Sequence, residues 1–204
     1  MLALATVAAP SARADEDAAR DHDVLRMALL AAADPANPLN RVFIENRGRP
    51  GKEIVVHPTT AHRGSILFSI VDSLEAKGEL APGLAADLRR RDSMPPLALD
   101  APALRHPLIV FEDLEAEPRQ AWNDASTFGG ISPQPWDLAG AFWKRHPESW
   151  GWAWPYRPGY AADGRTAVVL LGEGPAPHGM VAIYLLVQVE GGWRIVGQWR
   201  EIFR

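Results

Sequence analysis

From Trp152 to the end, apolar runs alternate with turn residues, and that rhythm constrains the fold more than any other feature of the chain. Trp152-Ala-Trp-Pro-Tyr156, Thr166–Leu171, Met180–Val189 and Trp193–Phe203 each read as strands. Between them stand Ala162-Asp-Gly164, then Gly172-Glu-Gly174 followed by Pro175 and Pro177, then Glu190-Gly-Gly192. Loops this short join neighbouring strands, so the strands are expected to pair antiparallel in sequence order. Gly191-Gly192 takes the tight turn, where positive φ is cheap.

The upstream half has a different period. Asp21 to Ala33 reads as a helix, with Asp21 or Asp23 as its cap and Val24, Met27, Leu30 and Ala31 on one face. Asp34-Pro35 and Asn37-Pro38 end it. Arg41–Glu45 and Glu53–His57 flank Asn46-Arg-Gly-Arg-Pro-Gly51 and read as a short hairpin with a long loop. Ser65–Lys77 is a helix with Ile66, Ile70 and Leu74 in line and Gly78 at its αL position. Gly83–Arg91 is a second helix, ending in three arginines that suit its dipole. Pro107–Phe111 reads as a buried strand, and Trp136–Arg145 as an amphipathic helix. No linker is long enough to separate a second domain. The expected fold is one α+β domain over 15–204: N-terminal helices with a short hairpin, then a C-terminal antiparallel meander sheet.

Composition excludes several classes. Hydrophobic residues make up 47% of the 204 and charged residues 23%, a globular balance. The net charge of −4 argues against a sequence-independent nucleic-acid binder. No apolar run approaches the ~20 residues of a membrane helix. Cysteine is absent, which removes disulfides, thiolate metal sites and cysteine catalysis. Oligomeric state is left open.

The N-terminus bears on location. An apolar, small-residue stretch ends in Ala12-Arg13-Ala14, and Asp15-Glu-Asp follows at once. The A-x-A pattern reads as the end of a secretory signal peptide cleaved after Ala14, although no basic segment precedes it. The mature protein is then expected in the bacterial periplasm or outside the cell. An Ala-rich frayed tail is the plainer reading.

Phe142-Trp-Lys-Arg-His-Pro-Glu-Ser149 precedes Pro158-Gly-Tyr-Ala-Ala-Asp-Gly-Arg-Thr-Ala-Val-Val169. Gly179-Met-Val-Ala-Ile-Tyr-Leu-Leu186 and Glu190-Gly-Gly-Trp-Arg-Ile-Val196 follow. This order resembles a pattern in uncharacterised exported bacterial proteins and covers roughly the last third of the chain. Many of those proteins carry cysteines in the loop matching Gly172–Gly179, where this chain has none. The last two strands also look like the end of nuclear-transport-factor-2-like sheets. Both likenesses imply architecture and location; neither implies an activity.

Candidate chemistry is sparse. There is no G-x-S-x-G, and Ser65 and Ser149 are equally well cap or turn residues. His57 and His62 stand five apart, but no H-E-x-x-H occurs. The acidic run Glu112, Asp113, Glu115, Glu117 lacks the calcium-loop pattern. No metal site is assigned, and no Gly-rich phosphate loop or other cofactor motif is present. Glu112, Asp113, Glu148 and Glu173 are carboxylates available for acid–base work if paired. The unusual feature is Trp150-Gly-Trp152-Ala-Trp154-Pro-Tyr156, with Tyr160 close behind. In an extended strand the three indoles and Tyr156 fall on one side. Such a row either packs the core or forms a face for a glycan, an aromatic small molecule or a protein partner. The expected binding residues are therefore Trp150, Trp152, Trp154, Tyr156, Tyr160, Glu173 and His178. A secreted hydrolase using His57, His62, Glu148, Glu173 or His178 beside the same cleft is the alternative. A structural envelope protein is the third.

Overall fold

A computed structural model describes residues 10–40, 51–61, 66–99, 102–114, 142–174 and 180–202. Three long helices and seven strands stand out among them. They are α1 (Pro10–Ala33), β1 (Glu53–Val56), α2 (Ile66–Ala76), α3 (Leu84–Asp92), β2 (Ile109–Phe111), β3 (Ser149–Pro155), β4 (Gly159–Tyr160), β5 (Thr166–Gly174), β6 (Met180–Val189) and β7 (Gly192–Ile202). Residues 142–145 are also helical, and of the expected Trp136–Arg145 helix only they are described.

The strands form one mixed sheet in the order β2-β1-β3-β5-β6-β7, with β4 also on β5. β5, β6 and β7 pair antiparallel in sequence order. Gly191 and Gly192 occupy the last turn with φ of 86° and 141°. The meander thus matches the expectation. Of the expected hairpin, the first arm, 41–45, lies outside the described residues. Its second arm is β1, whose two neighbours β2 and β3 both run parallel to it. The chain between β1 and β2 supplies the crossover that parallel pairing demands, through α2 and α3.

Helices cover both faces of the sheet. On one face α1 buries Val24, Leu25, Ala28, Leu29 and Ala32 against Ile54, Val56, Val169, Leu171, Ala182 and Tyr184. The i, i+4 spacing of those α1 residues makes the stripe that the sheet needs. On the other face α2 and α3 pack Val71, Leu74, Leu84 and Leu88 on Tyr156, Val168, Leu170, Val181 and Ile183. Odd and even positions of β5 and β6 divide between the two cores, as strand alternation requires. That is why these strands read as continuous apolar runs.

α1 is longer than expected, and Asp21 lies inside it rather than at its cap. The Ala-rich segment before Asp21 favours helix, and the carboxylate has other partners, described below. The C-terminus of α1 is closed by two asparagines. Asn37 Nδ2 donates to the Ala31 carbonyl at 2.7 Å, and Asn40 Nδ2 to those of Ala32 and Asp34 at 2.8 and 2.7 Å. α2 ends in a Schellman turn: Glu79 N–H bonds the Leu74 carbonyl, Gly78 N–H bonds that of Glu75, and Gly78 has φ 75°.

Candidate functional site

β3 carries the tryptophan row, and a β-bulge breaks it. Glu53 pairs with Ser149, but Val55 pairs with Trp152, so β3 spends one extra residue against β1. Ser149 Oγ accepts the Gly151 N–H at 3.1 Å and holds the bulge. Gly51 packs against it so closely that a Cβ there would lie 2.8 Å from the Ser149 carbonyl carbon. The extra residue turns Trp150 away from its neighbours. It is 2% exposed and lies with Ile54 and Ala32 of the α1 side. Trp152 and Trp154 stay on the opposite face, half-buried. Tyr156 is buried beneath α2 and α3. The expectation of four rings on one side is thus corrected, because alternation fails across a bulge.

Around Trp152 and Trp154 the fold gathers residues distant in sequence. His57, just after β1, stands edge-on to Trp154 with ring centroids 6.3 Å apart. Its Nε2 is 3.4 Å from Asp113 Oδ1, and its Nδ1 is 3.1 Å from the Thr59 carbonyl oxygen. Asp113 and Glu112 follow β2. Glu112 holds Arg145 Nη2 and His146 Nε2, each at 3.0 Å. His146 packs on Phe142, and Phe142 meets Trp152 edge-on at 4.7 Å. The sequence singles out His57, Glu112 and Asp113 separately; their meeting beside Trp154, and the roles of Arg145 and His146, have no local signal. Glu148 lies apart, paired with Lys52 at 2.5 Å. His62 and His178 lie outside the described residues. Among the described residues no three His, Asp or Glu side chains are placed to hold one metal ion. Nor is any described helix long and apolar enough to cross a membrane.

Two buried polar clusters lie elsewhere. Glu173 belongs to β5, not to a loop, and faces the α1 side. Its Oε2 is 2.7 Å from Arg200 Nη2, with both side chains almost fully buried. Burial pushes the Glu173 carboxyl above its ordinary value while Arg200 pulls it down. The neighbouring Tyr184 hydroxyl is pushed up by burial and by Glu173. Arg200 also donates to Asn40 Oδ1 at 3.1 Å, joining β7 to the cap of α1.

The second cluster is Asp21 with Arg91, Arg157 and Tyr160. Arg91 Nη2 donates to both Asp21 oxygens at 2.6 and 2.5 Å. Arg157 Nη1 and the Tyr160 hydroxyl add bonds at 3.0 and 2.9 Å. The Arg20 guanidinium lies 3.6 Å above the Tyr160 ring. Burial raises the Asp21 carboxyl against the pull of Arg91, and burial with Asp21 raises the Tyr160 hydroxyl. Tyr160 is thereby committed to joining α1, α3 and β4.

No family model matches the chain, and no curated protein or solved structure matches it.

Proposed function

We propose that the protein binds a small ring-bearing ligand, a glycan or an aromatic compound, on the Trp152–Trp154 face of β3. The observation that carries this is the placement of His57 and Asp113 beside two half-buried indoles, where parallel strands β1 and β2 end. Carboxyl ends of parallel strands are where open sheets carrying helices on both faces bind ligands. Indole faces stack on sugar or aromatic rings, and the imidazole and carboxylates beside them fix orientation by hydrogen bonds. Tryptophan fluorescence titrated with p-nitrophenyl glycosides and the N-acetylglucosamine trimer tests the reading. A saturable change that Trp154→Ala abolishes is expected. No response to either probe class counts against it.

Hydrolysis is supported by one observation, the 3.4 Å His57–Asp113 contact. It requires that the same p-nitrophenyl probes be turned over and that His57→Ala stop turnover.

Export belongs to the same proposal. Its support is the Ala12-Arg-Ala14 pattern. Cleavage after Ala14 would leave α1 as Asp15–Ala33 and retain Ala18, Arg20, Asp21 and the whole apolar stripe. Mass spectrometry of the protein from the periplasm, expressed with an upstream leader, should find Asp15 first.

A further inference from the structure

On the α1 side of the bulge, Ala32, Ile54, Trp150, Gly151, Trp152, Glu173 and Gly174 enclose a pocket with room for about one water molecule. Trp150 is 2% exposed, and its indole Nε1–H is buried with no hydrogen-bond partner among the described residues. An orphaned buried donor costs a protein stability, and native structures almost always satisfy such groups. Glu173 brings to the same pocket a carboxylate that Arg200 meets from β7 at Oε2. A carboxylate has about four acceptor positions, so one arginine does not exhaust it. The pocket therefore pairs a donor in need of an acceptor with a carboxylate that has acceptor positions to spare.

We propose that this pocket is a binding site for a single hydroxyl group, which accepts a hydrogen bond from Trp150 Nε1–H and donates one to the Glu173 carboxylate. A hydroxyl is the smallest group that does both. The volume admits one such oxygen and no ring. Two sources share this chemistry: a water molecule, or one hydroxyl of a polyol or sugar whose body stays outside. The bulge makes the site, because without the extra residue Trp150 would face the other side of the sheet. The site does not rest on ligand binding at Trp154, although Trp152 lines the pocket and also belongs to that face.

The test is a water-to-indole NOE and ROE measurement on 15N-labelled wild-type protein. The Trp150 indole signal is assigned by through-bond correlation and checked by its loss in Trp150→Phe. A cross-peak between Trp150 Hε1 and water that tumbles with the protein is expected. Glycerol is then added. A shift of the Trp150 signal with loss of the water cross-peak assigns the site to ligand hydroxyls; a retained cross-peak assigns it to water. A Trp150 indole proton with neither a water cross-peak nor a glycerol shift overturns the proposal, since the pocket is then dry. The decisive data come from the wild type, so a failure of Trp150→Phe to fold leaves the conclusion standing.

Discussion

Asp21 is fully buried, and its charge is tolerated because two guanidinium groups and a phenol surround it. Removing one partner of a buried ion pair leaves an uncompensated charge, at a cost of about 3–5 kcal/mol. Arg91→Met should therefore lower the free energy of unfolding in urea by roughly that amount. Tyr160→Phe, which removes a single hydrogen bond, should lower it by about 1 kcal/mol. Equal and small losses for both would mean that the cluster is wet. Glu173 yields a pH prediction. Its folded-state carboxyl is held above 4.5, so the folded protein keeps this proton to higher pH than the unfolded chain. The stability this group contributes is complete below that value and is lost as pH rises through the folded-state pKa. The advantage of wild type over Glu173→Gln should shrink with rising pH above 4.5. An advantage that grows would show that Arg200 outweighs burial. The burial of Glu173 is legible in principle: it shares parity with Val169 and Leu171, which face the α1 core. Gly172 and Gly174, which resemble turn punctuation, hide that parity. Gly174 is in fact roofed by the Trp152 indole.

At the scale of elements, legibility follows sequence distance. β5, β6 and β7 are joined by short connections, so their turn chemistry announces their pairing. β1 meets β2 and β3 through Ile54–Ile109 and Val55–Trp152, contacts between remote residues that no local pattern encodes. The bulge is equally silent, since Gly151 reads as an ordinary strand residue until Ser149 claims its N–H. The start of α1 is hidden because Asp21 resembles a cap, and only the distant Arg91 shows why it is not one. Two substitutions test the element ends. Gly78→Ala places a side chain at φ 75° and should cost about 1 kcal/mol in thermal or chemical unfolding. Asn40→Ala should cost about 1–3 kcal/mol, because it uncaps the α1 carbonyls and leaves buried acceptors unsatisfied. A neutral Asn40→Ala would mean that water replaces the amide at the helix end.

For the whole molecule, polar chemistry is of two kinds. The clusters at Asp21 and Glu173 hold α1 to the rest, whereas His57, Asp113, Glu112 and His146 gather around half-buried indoles. No residue of either cluster lies within 1–14, so the truncated chain is expected to melt within a few degrees of the full one in calorimetry. A large drop would show that the start of α1 is integral to the fold. The most direct test of ligand binding on β3 is the indole region of a 15N–1H correlation spectrum, titrated with the N-acetylglucosamine trimer and then with p-nitrophenyl glycosides. The Trp152 and Trp154 signals should move together and saturate while those of Trp193 and Trp199, on β7, stay in place. Movement confined to Trp193 or Trp199, or no saturable movement with either probe class, would contradict a ring-binding face at Trp152 and Trp154.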